Sequence, residues 1–183
     1  MAKISFRYGA MGSSKTANML MIRYNFEEKG KRALILKPKL ENRDGAVKIK
    51  SRIGLEADCI FVEDYLSNIK ICDCILIDEA QFLTTAQVDQ FVNIADNLDI
   101  PIIAFGLKTD FKGRLFEGSK RLIEVADELQ EITTICWCGK KARFNARIVD
   151  GKVVKTGEQI QFGGNESYTA LCRFHYNLEQ LGE

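Results

Sequence analysis

The chain has 183 residues, with 26 lysines and arginines against 25 aspartates and glutamates and a formal net charge of +1 at neutral pH. That length allows one substantial core with at most a small appended module, since domains of about 100 to 150 residues are commonest, and it excludes two large domains. The balanced charge leaves no global positive field to hold a nucleic-acid backbone, so the expected partners are small molecules or proteins.

The first apolar run predicts a strand over 3–8, and residues 9–16 follow it directly as Gly9, Ala10, Met11, Gly12, Ser13, Ser14, Lys15 and Thr16. A strand, a tight turn and a helix start in that order aim successive backbone N–H groups and the positive end of a helix dipole at one point, where the polyphosphate of a nucleoside triphosphate can sit. Lys15 would then reach the β- and γ-phosphates and the Thr16 hydroxyl would bind Mg²⁺. The generic pattern G-x-x-x-x-G-K-[ST] has glycine where this chain has Ser14, and the competing reading of the octet is a Gly/Ser turn that caps a helix. Met19, Ile22 and Phe26, spaced three and four apart, predict a helix over 15–29 that Gly30 ends.

Further strands are predicted at 33–37, 59–62, 74–77 and 102–107. Cys59, Cys72 and Cys74, in or next to these strands, are read as small hydrophobes without a function. The strand at 74–77 ends in Asp78 and Glu79, followed by Ala80 and Gln81. An acid at that place is the usual second Mg²⁺ contact of phosphate-loop proteins, and the next glutamate can orient or deprotonate a nucleophile. Thr84 or Thr85 can cap a helix carrying Val88, Phe91, Val92 and Ala95, and another helix is expected over 118–128. Strands alternating with helices imply a parallel sheet covered on both faces, an α/β phosphate-loop (RecA-like) architecture.

Near Ile132 the pattern changes to short strands and glycine turns, with Asp150-Gly151 between 146–149 and 152–154 as a hairpin signal. We therefore expect an α/β nucleotide-binding domain over 1–131 and a small C-terminal zinc-binding β module over 132–183. The module's Cys136, Cys138, Cys172 and His175 form two close pairs around a hairpin-sized insertion, the form of a structural zinc site. His175 is the only histidine of the chain. A module of that size cannot stay ordered on its own core, and the metal would serve in its place. The alternative is a set of ordinary thiols. With no signal-peptide core at the N-terminus and no run near the roughly 18 apolar residues of a membrane span, a soluble cytoplasmic protein with no membrane partner is expected.

Together these motifs resemble a thymidine kinase of the zinc-containing, tetrameric type found in bacteria and the animal cytosol, over nearly the whole chain. That family's phosphate loop reads approximately G-x-M-x-[SG]-x-K-[ST], which accommodates Ser14 and makes Met11 a marker. The resemblance implies that residues 9–16 and 78–81 bind ATP, that Thr16 and Asp78 hold Mg²⁺, and that Glu79 is the catalytic base for the 5′-hydroxyl of thymidine. It makes 105–116 a flexible segment covering the nucleoside, and 163–173 a lasso-like, zinc-tethered loop closing over the base. Met11, Phe82, Leu107, Phe111, Phe116 and Tyr168 become candidate walls of the nucleoside pocket, and backbone groups around Gly163 become contacts to the thymine edge. For Phe82, Leu107 and Phe116, core packing is an equal alternative. The family's Asp-x-Arg has its nearest counterpart in Glu41-Asn42-Arg43. A homotetramer and feedback by dTTP are further implications.

Two other classes compete. Asp-Glu-Ala-Gln also resembles the acidic box of helicase-like motors, but a motor needs a second lobe or a neighbouring arginine and a basic track, and neither is visible in this sequence. A zinc-ribbon interaction module on a nucleotide-binding base would not need Glu79.

Overall fold

The computed structural model describes residues 1–39, 48–160 and 168–182. Ile4–Tyr8 (β1) leads into Lys15–Glu27 (α1), Ala33–Lys37 (β2), the short strands Lys48–Lys50 (β3), Glu56–Asp58 (β4) and Ile60–Phe61 (β5), Val62–Ser67 (α2) and Cys74–Ile77 (β6). A 3-10 turn at Ala80–Phe82 precedes Thr85–Leu98 (α3), Ile102–Gly106 (β7), Glu117–Val125 (α4) and Glu128–Glu131 (β8). The remaining elements are Thr134–Ile135 (β9), Lys141–Ala142 (β10), Phe144–Val149 (β11), Lys152–Val154 (β12), Tyr168–Leu171 (β13) and Arg173–Leu178 (α5).

Six strands pair in the order β5-β2-β6-β7-β1-β8, every pair parallel. The pleat sends alternate side chains to opposite faces. Leu34, Leu36, Ile75 and Ile77 pack with Tyr65 of α2, Val88, Phe91 and Ile94 of α3 and Leu122 of α4. Ala33, Ile35, Cys74 and Leu76 pack with Met19 and Leu20 of α1. Both faces are therefore covered, as the alternation of strands and helices required, and each large aliphatic side chain so buried contributes about 1.5 to 3 kcal/mol. Thr84 caps α3 with a reciprocal box: its Oγ accepts from the Gln87 N–H and its own N–H donates to Gln87 Oε1.

The structure departs from the sequence expectation in four places. The strand expected over 59–62 shrinks to β5, because Val62 opens α2. The helix expected over 118–128 stops at Val125, and residues from Glu128 form the edge strand β8, whose Glu-Leu-Gln-Glu sequence lacks apolar alternation. The β3–β4 hairpin was not foreseen, since Lys-Ile-Lys and Glu-Ala-Asp are too short and too charged to read as strands. Of Cys59, Cys72 and Cys74, only Cys74 lies in a strand.

Past β8 the pairings are antiparallel. β9 pairs with β10, and β11 lies between β12 and β13. The β11–β12 turn is the expected one, with Asp150 at φ 49° and Gly151 at φ 73°, both left-handed as a two-residue hairpin turn requires. Cys136, Ala142, Ala146, Leu171, Cys172 and Tyr176 form a separate small core here.

Candidate active site

In a parallel sheet the strands' carboxyl ends share one edge, and the connections leaving that edge form the site. Here β7 separates β1 from β6, so the loop after β1 and the acids after β6 face each other across the end of β7. Two contacts fix that spacing. The Gly9 N–H donates to the Gly106 carbonyl at 3.2 Å, and the Leu107 N–H donates to Gln81 Oε1 at 3.0 Å.

The phosphate loop is glycine-dependent at its start: a Cβ on Gly9 would lie 2.3 Å from the Ile132 carbonyl oxygen. Ser14, where the generic motif has glycine, sits at φ 59° and ψ 29°. The left-handed geometry is kept without the residue that makes it free of strain. The ammonium of Lys15 lies across the loop, donating to the Gly9 and Ala10 carbonyls at 3.1 and 3.0 Å and to Ser13 Oγ at 3.3 Å. Burial pulls its pKa down, and the charges of Glu79 and Asp78 oppose that.

Thr16 reaches across the site to Asp78, its hydroxyl donating to Oδ2 at 3.1 Å. Burial, and then the charge of Glu79, push the Asp78 carboxyl well above its ordinary value. Glu79 also occupies the left-handed region, at φ 50°, and its Oε2 accepts from Gln81 Nε2 at 2.5 Å. Gln81, 2 % exposed, thus holds the Glu79 carboxylate with one end of its amide and the exit of β7 with the other.

A cavity of about 620 Å³ runs from this point. Its lining includes Gly12, Ser14, Lys15, Thr16, Asp78, Glu79 and Gln81, the apolar Met11, Phe82, Leu107, Phe111, Phe116 and Tyr168, and polar residues of the β3–β4 hairpin and the C-terminal segment, among them Arg52 and Asn145. The structure therefore brings together every described residue that the sequence suggested for the nucleoside walls. Phe82 and Phe116 meet edge to face with centroids 5.8 Å apart. Gly9, Ala10 and Ser13 lie beneath the loop surface, and Ala80 belongs to the sheet core. Gly163 and Arg43 lie outside the described residues.

The 107–116 segment is closed by Asp110, whose Oδ1 accepts from the Lys112 and Arg114 N–H groups at 2.8 and 2.9 Å. Phe111 is held from the C-terminal side, by Tyr176 hydroxyl donating to its carbonyl at 2.7 Å and by Arg147 stacked 3.6 Å from its ring centroid. Asn145 Oδ1 accepts from the Met11 N–H at 2.8 Å, and its Nδ2 donates to the Thr109 carbonyl at 3.0 Å. None of these tying residues was singled out in the sequence. A signal existed in β11, where Asn145 and Arg147 alternate with Phe144 and Ala146, though such alternation ordinarily marks a solvent face.

Cys136, Cys138, Cys172 and His175 bring their ligand atoms within 4.8 Å of one another, a cluster that could hold a metal ion. Cys138 and Cys172 sulfurs are 3.9 Å apart, and His175 Nδ1 lies 3.5 and 3.4 Å from the sulfurs of Cys136 and Cys172. Burial works against ionisation of Cys136, yet hydrogen bonds from the Cys138 and Cys172 backbone and from His175 carry its thiol below the ordinary value. Trp137 stacks on His175 at 4.2 Å between centroids, fixing the ring.

The parallel sheet, the phosphate loop and the facing acids define a phosphate-loop nucleotide-binding protein. A family model described as thymidine kinase matches residues 2–176. Thymidine kinases of Lactococcus lactis, Lactiplantibacillus plantarum and Haemophilus influenzae (strain Rd) are 45 %, 48 % and 42 % identical to the chain. The alignments cover 96 %, 96 % and 100 % of this chain and 97 %, 96 % and 100 % of those proteins. The chain belongs to the thymidine kinase family. A solved replication initiator DnaA bound to AMPPCP and single-stranded DNA overlaps 73 % of this chain and 41 % of that one, with a TM-score of 0.49 and 19 % identity, a likeness too slight to bear on activity.

Relieving the left-handed Ser14 tests the reading of the loop. Ser14→Gly should raise unfolding free energy by about 1 kcal/mol in a denaturant titration and keep ATP binding, while Ser14→Ala should show no such gain. Equal stability of the glycine and alanine variants would contradict it.

Proposed function

We propose that the chain transfers the γ-phosphoryl group of ATP to the 5′-hydroxyl of thymidine, giving thymidine monophosphate and ADP. The supporting observation is one cavity lined both by Lys15, Thr16, Asp78 and Glu79 and by the aromatic side chains of Phe82, Phe111, Phe116 and Tyr168. A flat apolar slot suits a pyrimidine, with Phe82, Leu107, Phe111, Phe116 and Tyr168 as walls and Met11 at the junction with the phosphates.

Transfer of this kind depends on positioning and charge neutralisation more than on covalent chemistry by the protein. Backbone N–H groups of the 9–16 loop and the Lys15 ammonium hold the β- and γ-phosphates. Glu79 accepts the proton of the 5′-hydroxyl, with its carboxylate kept in place by Gln81. Thr16 and Asp78 would hold Mg²⁺, whose chemistry is to neutralise phosphate charge. Their oxygens, 3.1 Å apart, fit adjacent corners of an octahedron with bonds of about 2.0 to 2.1 Å.

In the same reading the Cys₃His cluster holds zinc. Zinc–sulfur bonds of about 2.3 Å and zinc–nitrogen bonds of about 2.0 to 2.1 Å at tetrahedral angles imply ligand separations of about 3.8 and 3.6 Å. The observed 3.9, 3.5 and 3.4 Å are close to these. On this reading the chain divides near residue 131 into the nucleotide-binding part and the zinc-bearing part. From the family we also infer a cytoplasmic homotetramer restrained by dTTP.

Purified protein given Mg-ATP and thymidine should form thymidine monophosphate, and Glu79→Gln should bind ATP while losing about 10²- to 10⁴-fold in turnover. ATP hydrolysis that required DNA or RNA would replace the kinase with a motor, and near-normal turnover in the variant would remove Glu79 as base. For the metal, about one zinc per chain is expected by elemental analysis, lost together with thermal stability in Cys172→Ser. A zinc-free wild-type protein of undiminished stability would rule the site out.

A further inference from the structure

Arg52 stands at the tip of the β3–β4 hairpin, and the turn beneath it is closely tied. Ser51, 6 % exposed, donates its N–H to the Leu55 carbonyl at 2.7 Å, and its Oγ accepts from the Leu55 N–H at 3.0 Å. Gly54, at φ 87°, provides the left-handed residue of the reversal. At the base of the hairpin, Lys37 Nζ donates to the Lys48 carbonyl at 3.3 Å, joining β3 to the carboxyl end of β2, and Ile49 is buried in the α1-side core.

This anchoring carries the tip over the phosphate loop. A Cβ placed on Gly12 would meet the Arg52 guanidinium at 3.6 Å. Among the described residues Arg52 is the only arginine lining the cavity that also holds Lys15, Thr16, Asp78 and Glu79. The arginine ion pairs among the described residues belong to Arg23 and Arg121, so Arg52 presents its charge without a carboxylate partner there. Its field falls on Lys15, where it adds to the effect of burial in weakening proton binding. Two cations that converge on one space repel each other unless a polyanion lies between them.

We propose that Arg52 is a catalytic residue whose guanidinium lies on the γ-phosphoryl group, opposite Lys15, during transfer. The inference rests on the kinase reading above. In that reaction the 5′-oxygen forms a bond to the γ-phosphorus as the bond from that phosphorus to the bridging oxygen breaks. The electron pair of the broken bond stays on ADP, and the hydroxyl proton goes to Glu79. Negative charge is spread over the three equatorial oxygens meanwhile, and a planar guanidinium can span two of them where an ammonium meets one. Supplied from its own chain, such an arginine needs no second lobe or activating partner.

Steady-state kinetics of Arg52→Ala and Arg52→Lys, with guanidinium rescue, test the assignment. Arg52→Ala should keep the wild-type melting temperature and ATP affinity within about tenfold, while kcat for thymidine phosphorylation falls about 10²- to 10³-fold. Arg52→Lys should recover part of the loss. Dissolved guanidinium ion should restore part of kcat to Arg52→Ala where ammonium ion at the same ionic strength does not. Wild-type kcat in Arg52→Ala, or a loss confined to KM for ATP, overturns this inference alone. Failure of the wild-type protein to phosphorylate thymidine overturns both this inference and the reading beneath it.

Discussion

One buried side-chain amide joins the two parts of the site. Asn145, 3 % exposed, accepts from the Met11 N–H in the phosphate loop and donates to the Thr109 carbonyl at the start of the segment over the aromatic slot. Its residue neighbours on β11, Phe144 and Ala146, point the other way into the small core that holds Cys136 and Cys172. Whatever orders that core therefore orders the phosphate loop. Leaving a fully buried N–H unpaired costs about 1 to 3 kcal/mol, and the partly buried Met11 N–H sets the loss of this contact toward the lower end of that range.

The loop and the acids it faces are held in conformations that a protein optimised for stability would avoid. Ser14 and Glu79 both lie in the left-handed region, and Asp78 is buried close enough to Glu79 that its charged form is disfavoured. Strain and like-charge crowding of this kind persist only where the surroundings over-determine them. Thr16, Gln81 and the Gly9–Gly106 contact are those surroundings. In the proposed mechanism the cost is recovered when phosphate and Mg²⁺ enter, because the same groups then meet opposite charge. Arg52 fits this economy of charge, lying over the loop with no carboxylate partner among the described residues.

Much of the frame was legible in the amino-acid sequence because its elements follow simple periods. β2, β6 and β7 are short, mostly apolar and mostly buried runs and β1 alternates buried Ile4 and Phe6 with more polar positions, α1 and α3 carry apolar residues three and four apart, and the cysteine pairs advertise themselves. The edge strand β8 was hidden by its polar composition, and the β3–β4 hairpin by its brevity. The ties within the site were hidden for a different reason. Met11 and Asn145 are 134 positions apart, and Gln81 gains meaning only when the end of β7 lies beside it. Such contacts exist only in the folded chain, and no local pattern encodes them. Likewise the serine that broke the phosphate-loop pattern proved to keep the backbone geometry that the pattern's glycine serves.

The segment that carries the Cys₃His cluster is tied into the nucleotide site through Asn145. The most direct test is the equilibrium affinity for ATP of Asn145→Ala, measured on protein whose zinc content and melting temperature have been checked against wild type. A loss of about tenfold or more is expected, since about 1.4 kcal/mol is tenfold in affinity. Unchanged affinity in a variant that is folded and metal-replete would contradict it.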